Sequence, residues 1–147
     1  MRQGCSKMFE VEFTIPIEPM GQGRPRAASI GGRAKIYTPA KTRKWQQRFD
    51  LLSNQYAPPQ PVAGPVHIDL GFYFRRPQRL MKKNDPPGAV PHTAKPDADN
   101  CIKIVLDSIS TWFAKGDAQV QSISVQKFYA EKEKPPRIHM IFKEIEQ

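Results

Sequence analysis

Residues 95–113, "KPDADNCIKIVLDSISTWF", place two carboxylates one residue apart directly before an apolar run. Apolar side chains then recur at spacings of three and four residues, at Ile102, Val105, Leu106, Ile109, Trp112 and Phe113. This spacing predicts an amphipathic helix from about residue 98 to residue 113, which buries its apolar stripe against other elements.

A second helix is predicted upstream, where Trp45, Phe49, Leu52 and Tyr56 recur with the same period. Thr38 is its expected N-cap, with Pro39 at the first helical position. Because Trp45 and Trp112 lie on apolar stripes, we expect both to pack in the core.

Four stretches show the two-residue alternation of strands, namely residues 9–17, 66–74, 118–130 and 137–146. The order is strand, loop, helix, strand, loop, helix, strand, strand. It favours a single α+β domain over residues 1–147, in which two main helices pack on a mixed or antiparallel sheet.

The chain is strongly basic, with 23 Lys and Arg residues against 14 Asp and Glu residues and a formal net charge of +9. Such a charge favours a polyanionic partner without separating DNA from RNA or an anionic membrane surface. No apolar run approaches the roughly 20 residues of a membrane span, and two cysteines give neither a disulfide framework nor a zinc site. We therefore expect a cytoplasmic protein with no membrane partner.

The positive charge is concentrated in two segments that read largely as loops. Residues 19–49 contain eight basic residues and no acidic one. Residues 75–96 contain five basic residues before their first acidic residue, Asp85. The residues predicted to contact nucleic acid are Arg24, Arg26, Arg33, Lys35, Lys41, Arg43, Lys44, Arg75 and Arg76.

The acids around the second helix have two interpretations. Asp97 or Asp99 suits a helix N-cap, Asp99, Lys103 and Asp107 suit an ion-pair ladder, and Asp117 suits a turn. Alternatively, the carboxylates together hold a divalent cation such as Mg²⁺, and Lys103 stabilises the charge that develops on a phosphodiester.

The motifs "KPDADNCIKIVLDSI" and "GDAQV", with "GRPR" and "YTPAKT" upstream, resemble the RusA-type Holliday junction resolvases, which are phage and prophage endonucleases. The resemblance extends from about Val11 to Phe142. It implies a RusA-like α+β fold and a homodimer that binds four-way junction DNA. It also implies a magnesium-dependent active site of Asp97, Asp99, Lys103 and Asp117, with the three aspartates as metal ligands. The family often has two adjacent acids before "xQV", where this chain has Gly116 and Asp117.

The leading hypothesis is a crossover junction endodeoxyribonuclease of DNA recombination and repair, with Mg²⁺ or alternatively Mn²⁺ as the working ion. The alternatives are a nucleic-acid-binding module without catalysis and a degenerate phage resolvase that binds junctions without cutting. A homodimer is expected because resolution needs two cuts and each chain offers one carboxylate cluster.

Overall fold

The computed structural model describes residues 8–23, 26–37 and 39–146. Seven strands and two α-helices span these ranges, and the sequence-predicted α+β class is confirmed. The strands are β1 (Glu10–Ile15), β2 (Arg26–Ile30), β3 (Arg33–Tyr37), β4 (Val66–Phe74), β5 (Val90–Pro91), β6 (Val120–Tyr129) and β7 (Arg137–Glu144). The helices are α1 (Ala40–Ser53) and α2 (Ala98–Trp112), and single 3₁₀ turns lie at Asn54–Tyr56, Gln78–Leu80 and Asp117–Gln119.

Five of the strands form one mixed sheet in the order β1-β7-β4-β6-β5. Neighbouring strands are antiparallel except β4 and β6, which are parallel and are connected through α2. A parallel pair needs such a crossover, because the chain must return to the edge of the sheet from which it started. The N-terminus of α2 therefore follows the end of β4, and its C-terminus precedes the start of β6.

The core lies between the helices and one face of the sheet. Alternate residues of β4, from Val66 to Phe74, are buried beneath α1 and α2. The helices contribute side chains that are fully or almost fully buried, including Phe49, Ile104, Val105 and Ile109. Each such apolar side chain contributes about 1.5–3 kcal/mol through burial.

The two tryptophans differ in their surroundings. Trp45 is buried and its indole N–H donates to the carbonyl of Glu18 at 2.8 Å, so its predicted core position is confirmed. Trp112 is 41% exposed at the end of α2, so the prediction of core packing is wrong for this residue. The buried face of α2 comprises Cys101, Ile104, Val105, Ser108 and Ile109, and Trp112 continues this stripe as the last residue of the helix, where it is only partly covered.

The first basic segment is partly a hairpin, which corrects the prediction of a long loop. Strands β2 and β3 pair antiparallel around Gly31 and Gly32, whose φ angles are +60° and +77°. A two-residue hairpin turn with two positive φ angles suits glycine, which has no Cβ to clash. The second basic segment is mainly irregular and contributes only β5 and a 3₁₀ turn to regular structure.

The predicted helix bounds are close to those observed. Helix α2 covers 98–112 where 98–113 was expected, and α1 begins at Ala40 with Pro39 at the N-cap position. Thr38, the predicted cap, lies outside the described residues. Within the described ranges, no helix is both long enough and apolar enough to cross a membrane.

A buried polar pair lies between the two helices. Atom Oδ1 of Asp50 in α1 and Oγ of Ser108 in α2 are buried and lack a hydrogen-bond partner among the described residues. Burial raises the pKa of the Asp50 carboxyl above its usual 3.8, and the Ser108 hydroxyl offsets part of that rise. The neutral form of the acid is therefore more favoured in the folded chain than in the unfolded one.

Replacing Asp50 with Asn should stabilise the fold at neutral pH. Because its folded pKa is raised, the stability that Asp50 contributes is present below pH 3.8 and is lost as pH rises through the folded pKa. Asp50→Asn cannot ionise, so its unfolding free energy should exceed that of the wild type by about 1 kcal/mol at pH 8.

Urea unfolding at pH 3.5 and pH 8 measures this difference. The increase in unfolding free energy that Asp50→Asn causes should shrink towards zero at pH 3.5. Asp107→Asn, at an exposed position of α2, serves as the control. An equal gain at both pH values would contradict the account.

Candidate active site

The paired carboxylates stand at the N-terminus of α2 without capping it. Asp97 occupies the N-cap position in an extended conformation, yet its side chain makes no capping hydrogen bond. Its backbone carbonyl accepts from the N–H groups of Asn100 at 3.1 Å and Cys101 at 3.2 Å. The Asp97 carboxylate instead lies 3.4 Å from the ammonium of Lys95, and both side chains are largely exposed. The capping interpretation therefore does not explain the Asp97 side chain.

Asp99 and Lys103 follow on the exposed side of α2. Asp99 lies in the first turn, where the helix dipole favours a negative charge. Lys103 is one turn later and also exposed. Among the described residues, Lys103 forms no ion pair with Asp99 or Asp107, so the predicted ladder is not formed.

The segment that leads into Asp97 is held by Lys127 from β6. The Lys127 ammonium donates to the carbonyl of Ala94 at 2.9 Å and to that of Pro96 at 2.6 Å. The sequence analysis did not identify Lys127 as a functional residue. The sequence pattern does indicate such a role. Lys127 continues the alternation of Ile123 and Val125 on the face of β6 that is directed towards the helices, and a lysine on that face needs hydrogen-bond partners.

Residues after β1 hold the same segment from the other side. The N–H of Gln22 donates to the carbonyl of Asn100 at 3.1 Å. Gly21 packs so closely on Pro96 that a Cβ at Gly21 would lie 2.6 Å from the Pro96 Cβ, well inside contact distance. Lys127 and Gly21 together therefore position the start of α2 relative to the sheet.

Charges from this end of the molecule also act on a buried thiol. Burial, opposed by Lys127 and reinforced by Asp97 and Asp99, raises the pKa of Cys101 to about 11. Cys101 is therefore a protonated core side chain at neutral pH. Lys127 and the two carboxylates therefore all act on the same buried thiol.

Asp117 lies at the opposite end of α2. It begins the 3₁₀ turn before β6, next to Gly116, whose N–H donates to Oε1 of Gln119 at 2.9 Å. The Gln119 amide then donates to the carbonyls of Val62 at 2.7 Å and Gly64 at 2.8 Å, which fixes the turn near the start of β4.

Two independent lengths show how far Asp117 is from the carboxylate pair. The 15 residues of α2 span about 22 Å at 1.5 Å per residue. Along β6, the seven steps from Val120 to Lys127 span about 23 Å at 3.3 Å per residue. Within the described part of the chain, no three Asp, Glu, His or Cys side chains form a group that could hold a metal ion. Asp97, Asp99 and Asp117 of one described chain therefore do not form a common metal-binding group, and their joint role as metal ligands stays a prediction.

The two carboxylates at the start of α2, Asp97 and Asp99, suit a hard cation. Asp97 and Asp99 offer exposed carboxylates, and neither is consumed by capping. Mg²⁺ usually takes one or two carboxylates and completes its octahedron with water and phosphate oxygens. The donor set of this helix terminus is thus compatible with Mg²⁺, although incomplete as the predicted three-aspartate site.

Basic residues of α1 are tied to the same end of α2. Lys41, Arg43 and Lys44 are exposed in the first turns of α1, where cations oppose the helix dipole. The Glu18 carbonyl binds Trp45 of α1, and a Cβ at Gly23 would lie 2.9 Å from Thr42 Oγ1. Residues 18–23 therefore connect the start of α1 to the start of α2.

The remaining predicted DNA contacts have different outcomes. Arg33 is exposed beside the hairpin turn, and Arg75 is exposed with its N–H donating to Glu18 Oε2 at 2.9 Å. Arg24 lies outside the described residues, as do the side chains of Arg26 and Lys35.

The structure contradicts a DNA-binding role for Arg76. This residue is 8% exposed, and its guanidinium donates to the carbonyls of Ala130 at 3.1 Å, Leu80 at 3.2 Å and Pro86 at 2.6 Å, and also to that of Gly88. It fixes the irregular segment after β4 and has no surface left for a phosphate.

Comparison with known proteins agrees with this arrangement. The family "Endodeoxyribonuclease RusA" matches residues 16–141, which include both helices and the aspartate motifs. The chain is also similar to the "Uncharacterized protein YqaN" of Bacillus subtilis (strain 168), with 33% identity over 140 residues, 92% of this chain and 96% of that protein. The chain therefore belongs to the RusA endodeoxyribonuclease family.

Proposed function

We propose that this protein is a homodimeric, Mg²⁺-dependent endodeoxyribonuclease that resolves four-way DNA junctions. The observation that carries the proposal is the pair of exposed carboxylates, Asp97 and Asp99, at a helix start where they do not cap the helix. Membership of the RusA family supports an endodeoxyribonuclease activity. The finer assignments of metal, substrate and residue roles are proposals for this chain.

Asp97 and Asp99 would hold the ion, which, when bound, neutralises charge on the phosphodiester and lowers the pKa of a bound water. Lys103 lies one turn from Asp99 on the exposed side of α2 and donates to a non-bridging phosphate oxygen. Lys127 keeps the backbone at Ala94 and Pro96 in place, so that Asp97 does not drift from the reacting phosphate.

Asp117 would join this site from the second protomer. It is separated from Asp97 by about the length of α2, so a metal contact by both residues requires two chains. A site shared between protomers makes cutting conditional on dimer formation. Two shared sites related by a two-fold axis also match the two cuts of junction resolution.

DNA would approach the shared end of the two helices. Lys41, Arg43 and Lys44 supply positive charge there, and the free N–H groups at a helix start favour a phosphate oxygen. Arg33 and Arg75 extend the proposed surface, with Arg24, Arg26 and Lys35 as further candidates. The interface would bind DNA mainly through phosphates, and hence independently of most sequence.

A junction-binding protein that does not cut is the second candidate. The specific observation in its favour is Gly116, which stands where the family often has a second acid. The proposed enzyme and this binder differ in one property, namely strand cleavage with Mg²⁺.

Asp97→Asn should lower cleavage of a synthetic four-way junction by roughly 100-fold or more, because it removes a charged metal ligand. Junction binding should persist or tighten, since the carboxylate no longer repels phosphates. Cleavage is measured on denaturing gels with Mg²⁺, Mn²⁺ or EDTA, and binding by fluorescence anisotropy.

Asp107→Asn is the matched control, because it removes an exposed carboxylate from the same helix away from its N-terminus. This variant should cut at the wild-type rate. Wild-type protein that binds junctions but never cuts with either metal would support the non-cutting candidate and contradict the enzyme.

Mixed dimers of Asp97→Asn and Asp117→Asn should recover cleavage that neither variant has alone. In a shared site, a mixed dimer combines both substitutions in one site and leaves the other site intact. Two affinity tags allow the mixed dimer to be purified after co-expression. It should nick one strand of a junction.

The control is a mixed dimer of Asp97→Asn and Asp99→Asn. Because Asp97 and Asp99 of one protomer belong to the same site, each of the two sites then contains one substituted aspartate. It should stay inactive. If the mixture with Asp117→Asn is equally inactive while the wild type cuts, the three aspartates do not form a site shared in this way.

Replacing Lys41, Arg43 and Lys44 together with Ala should weaken junction binding and reduce its salt dependence. Each lost phosphate contact lowers the slope of log K against log salt by about 0.9, so a loss of three contacts gives about 2.7. Lys143→Ala, on the helix-free face of the sheet, should leave the slope unchanged. Identical slopes for the triple variant and the wild type would exclude this part of α1 from the interface.

A further inference from the structure

An open cavity of about 490 Å³ lies beside the two carboxylates at the start of α2, Asp97 and Asp99. Its lining includes residues on both sides of this pair in the sequence, namely Lys95, Pro96 and Asn100. Residues 18–22, which follow β1, and Phe74 at the end of β4 complete the lining. A group bound in this cavity is therefore a neighbour of whatever the two carboxylates hold.

Most of the surface of this cavity is apolar, with contributions from Pro19, Met20 and Pro96. Gly21 lets the chain after β1 approach the start of α2 closely. A Cβ at Gly21 would lie 2.6 Å from the Pro96 Cβ and 3.3 Å from the Asn100 Cβ, so any larger residue would change the shape of the cavity. Ligand sites in proteins commonly combine an apolar lining of this kind with a few well-placed polar groups.

Gln22 supplies a polar group of this kind. Its backbone N–H donates to the carbonyl of Asn100 at 3.1 Å, which ties the residue to the start of α2. Oε1 of its side chain is buried, yet no described residue donates a hydrogen bond to it. A buried acceptor without a donor destabilises the fold, so its presence points to a partner from outside the chain. Rotation of the terminal amide exchanges its oxygen and nitrogen, so Gln22 can offer an acceptor and a donor to that partner.

The charged residues of the lining favour a base over a phosphate as the occupant. Glu18 contributes a carboxylate, which repels phosphate, and this carboxylate accepts from the N–H of Arg75 at 2.9 Å. The ammonium of Lys95 already lies 3.4 Å from the carboxylate of Asp97. A nucleobase is neutral and planar, with apolar faces and donors and acceptors along its edge, so it matches an apolar cavity that carries one unpaired amide oxygen.

We propose that this cavity holds one unstacked nucleobase beside the scissile phosphate of the DNA, and that Gln22 hydrogen-bonds to the edge of that base. The inference rests on the proposed function, because the carboxylates at the border of the cavity then hold the neighbouring phosphate. An amide distinguishes bases by the order of their donors and acceptors. Gln22 is therefore a specificity residue, and cutting depends on the base at the cleavage position as well as on the shape of the junction.

A set of junctions that differ only in the bases next to the cut tests this role. Cleavage of a first junction identifies the phosphate that is cut, and each of the four bases is then placed on either side of it. At one of these positions, wild-type rates should differ by about 10-fold between the best and the worst base. Gln22→Leu should cut all of these junctions at nearly equal rates, because leucine has a similar size and no hydrogen-bonding group.

Two further variants separate base reading from a general effect on the site. Gln60→Leu makes the same change at an exposed position after α1 and should keep the wild-type preference. Gln22→Glu keeps the size and the acceptor oxygens but loses the donor. It should retain a preference and shift it towards bases with an exocyclic amino group, since a carboxylate only accepts hydrogen bonds.

Fluorescence of 2-aminopurine provides a readout that needs no cleavage, because this base analogue brightens when it is unstacked. It is placed in turn at each position next to the branch point, and the junction is bound in EDTA. Wild-type protein should raise the fluorescence at one of these positions. The rise should be clearly smaller with Gln22→Leu and unchanged with Gln60→Leu.

The outcomes separate the cavity from the proposed function. Equal base preferences in the wild type and Gln22→Leu, or a wild type that cuts every junction of the set at one rate, would overturn the inference and leave the function standing. A wild type that binds junctions and never cuts would contradict the function. In that case a fluorescence rise that depends on Gln22 would support the cavity, and no rise at any position would overturn it.

Discussion

The parallel pairing of β4 and β6 is the constraint on which the other features depend. Parallel neighbours need a return connection, and here that connection is α2. Whatever precedes α2 and whatever follows it must then lie at opposite ends of the sheet. The acids of one apparent motif are separated for this reason, and no side-chain rotation within one protomer spans about 22 Å. A function that uses all of them needs a second chain.

Several specific contacts hold the end of the molecule that carries Asp97, although this residue lies at the surface. Lys127 donates two hydrogen bonds to backbone carbonyls, and Gly21 allows the chain after β1 to approach Pro96 closely. Arg76 acts similarly, by donating to three carbonyls of the irregular segment after β4 and to that of Ala130 after β6. These side-chain donors pair with backbone carbonyls outside the α-helices and strands. Rigid positioning of this kind is what a reacting phosphate requires of its ligands.

Sequence patterns were sufficient for the elements whose period is set by burial. The apolar stripe gave α2 to within one residue at its end, and the alternation of Val66 to Phe74 gave β4. The hairpin of β2 and β3 was missed because, within the part of the chain that the structure describes, these strands pair only with each other and show no alternation. Their clearest signal was the Gly31–Gly32 pair, which suits a two-residue turn.

The site was harder to predict than the fold. Asp97, Asp99 and Lys103 are close because one helix carries them, but the direction of β6 relative to β4 decides where Asp117 lies. Sequence patterns left parallel and antiparallel pairing open. Arg76 and Lys127 each continue the buried alternation of a strand, after Phe74 and Val125 respectively, and this is how their buried roles could have been found.

The central claim is that metal binding requires two protomers, and the occupancy of Mn²⁺ measured by electron paramagnetic resonance across a dilution series tests it most directly. Light scattering on the same samples gives the fraction of dimer. The account predicts that the Mn²⁺ bound per chain falls in step with the fraction of dimer. Equal Mn²⁺ affinity in monomer and dimer would contradict it.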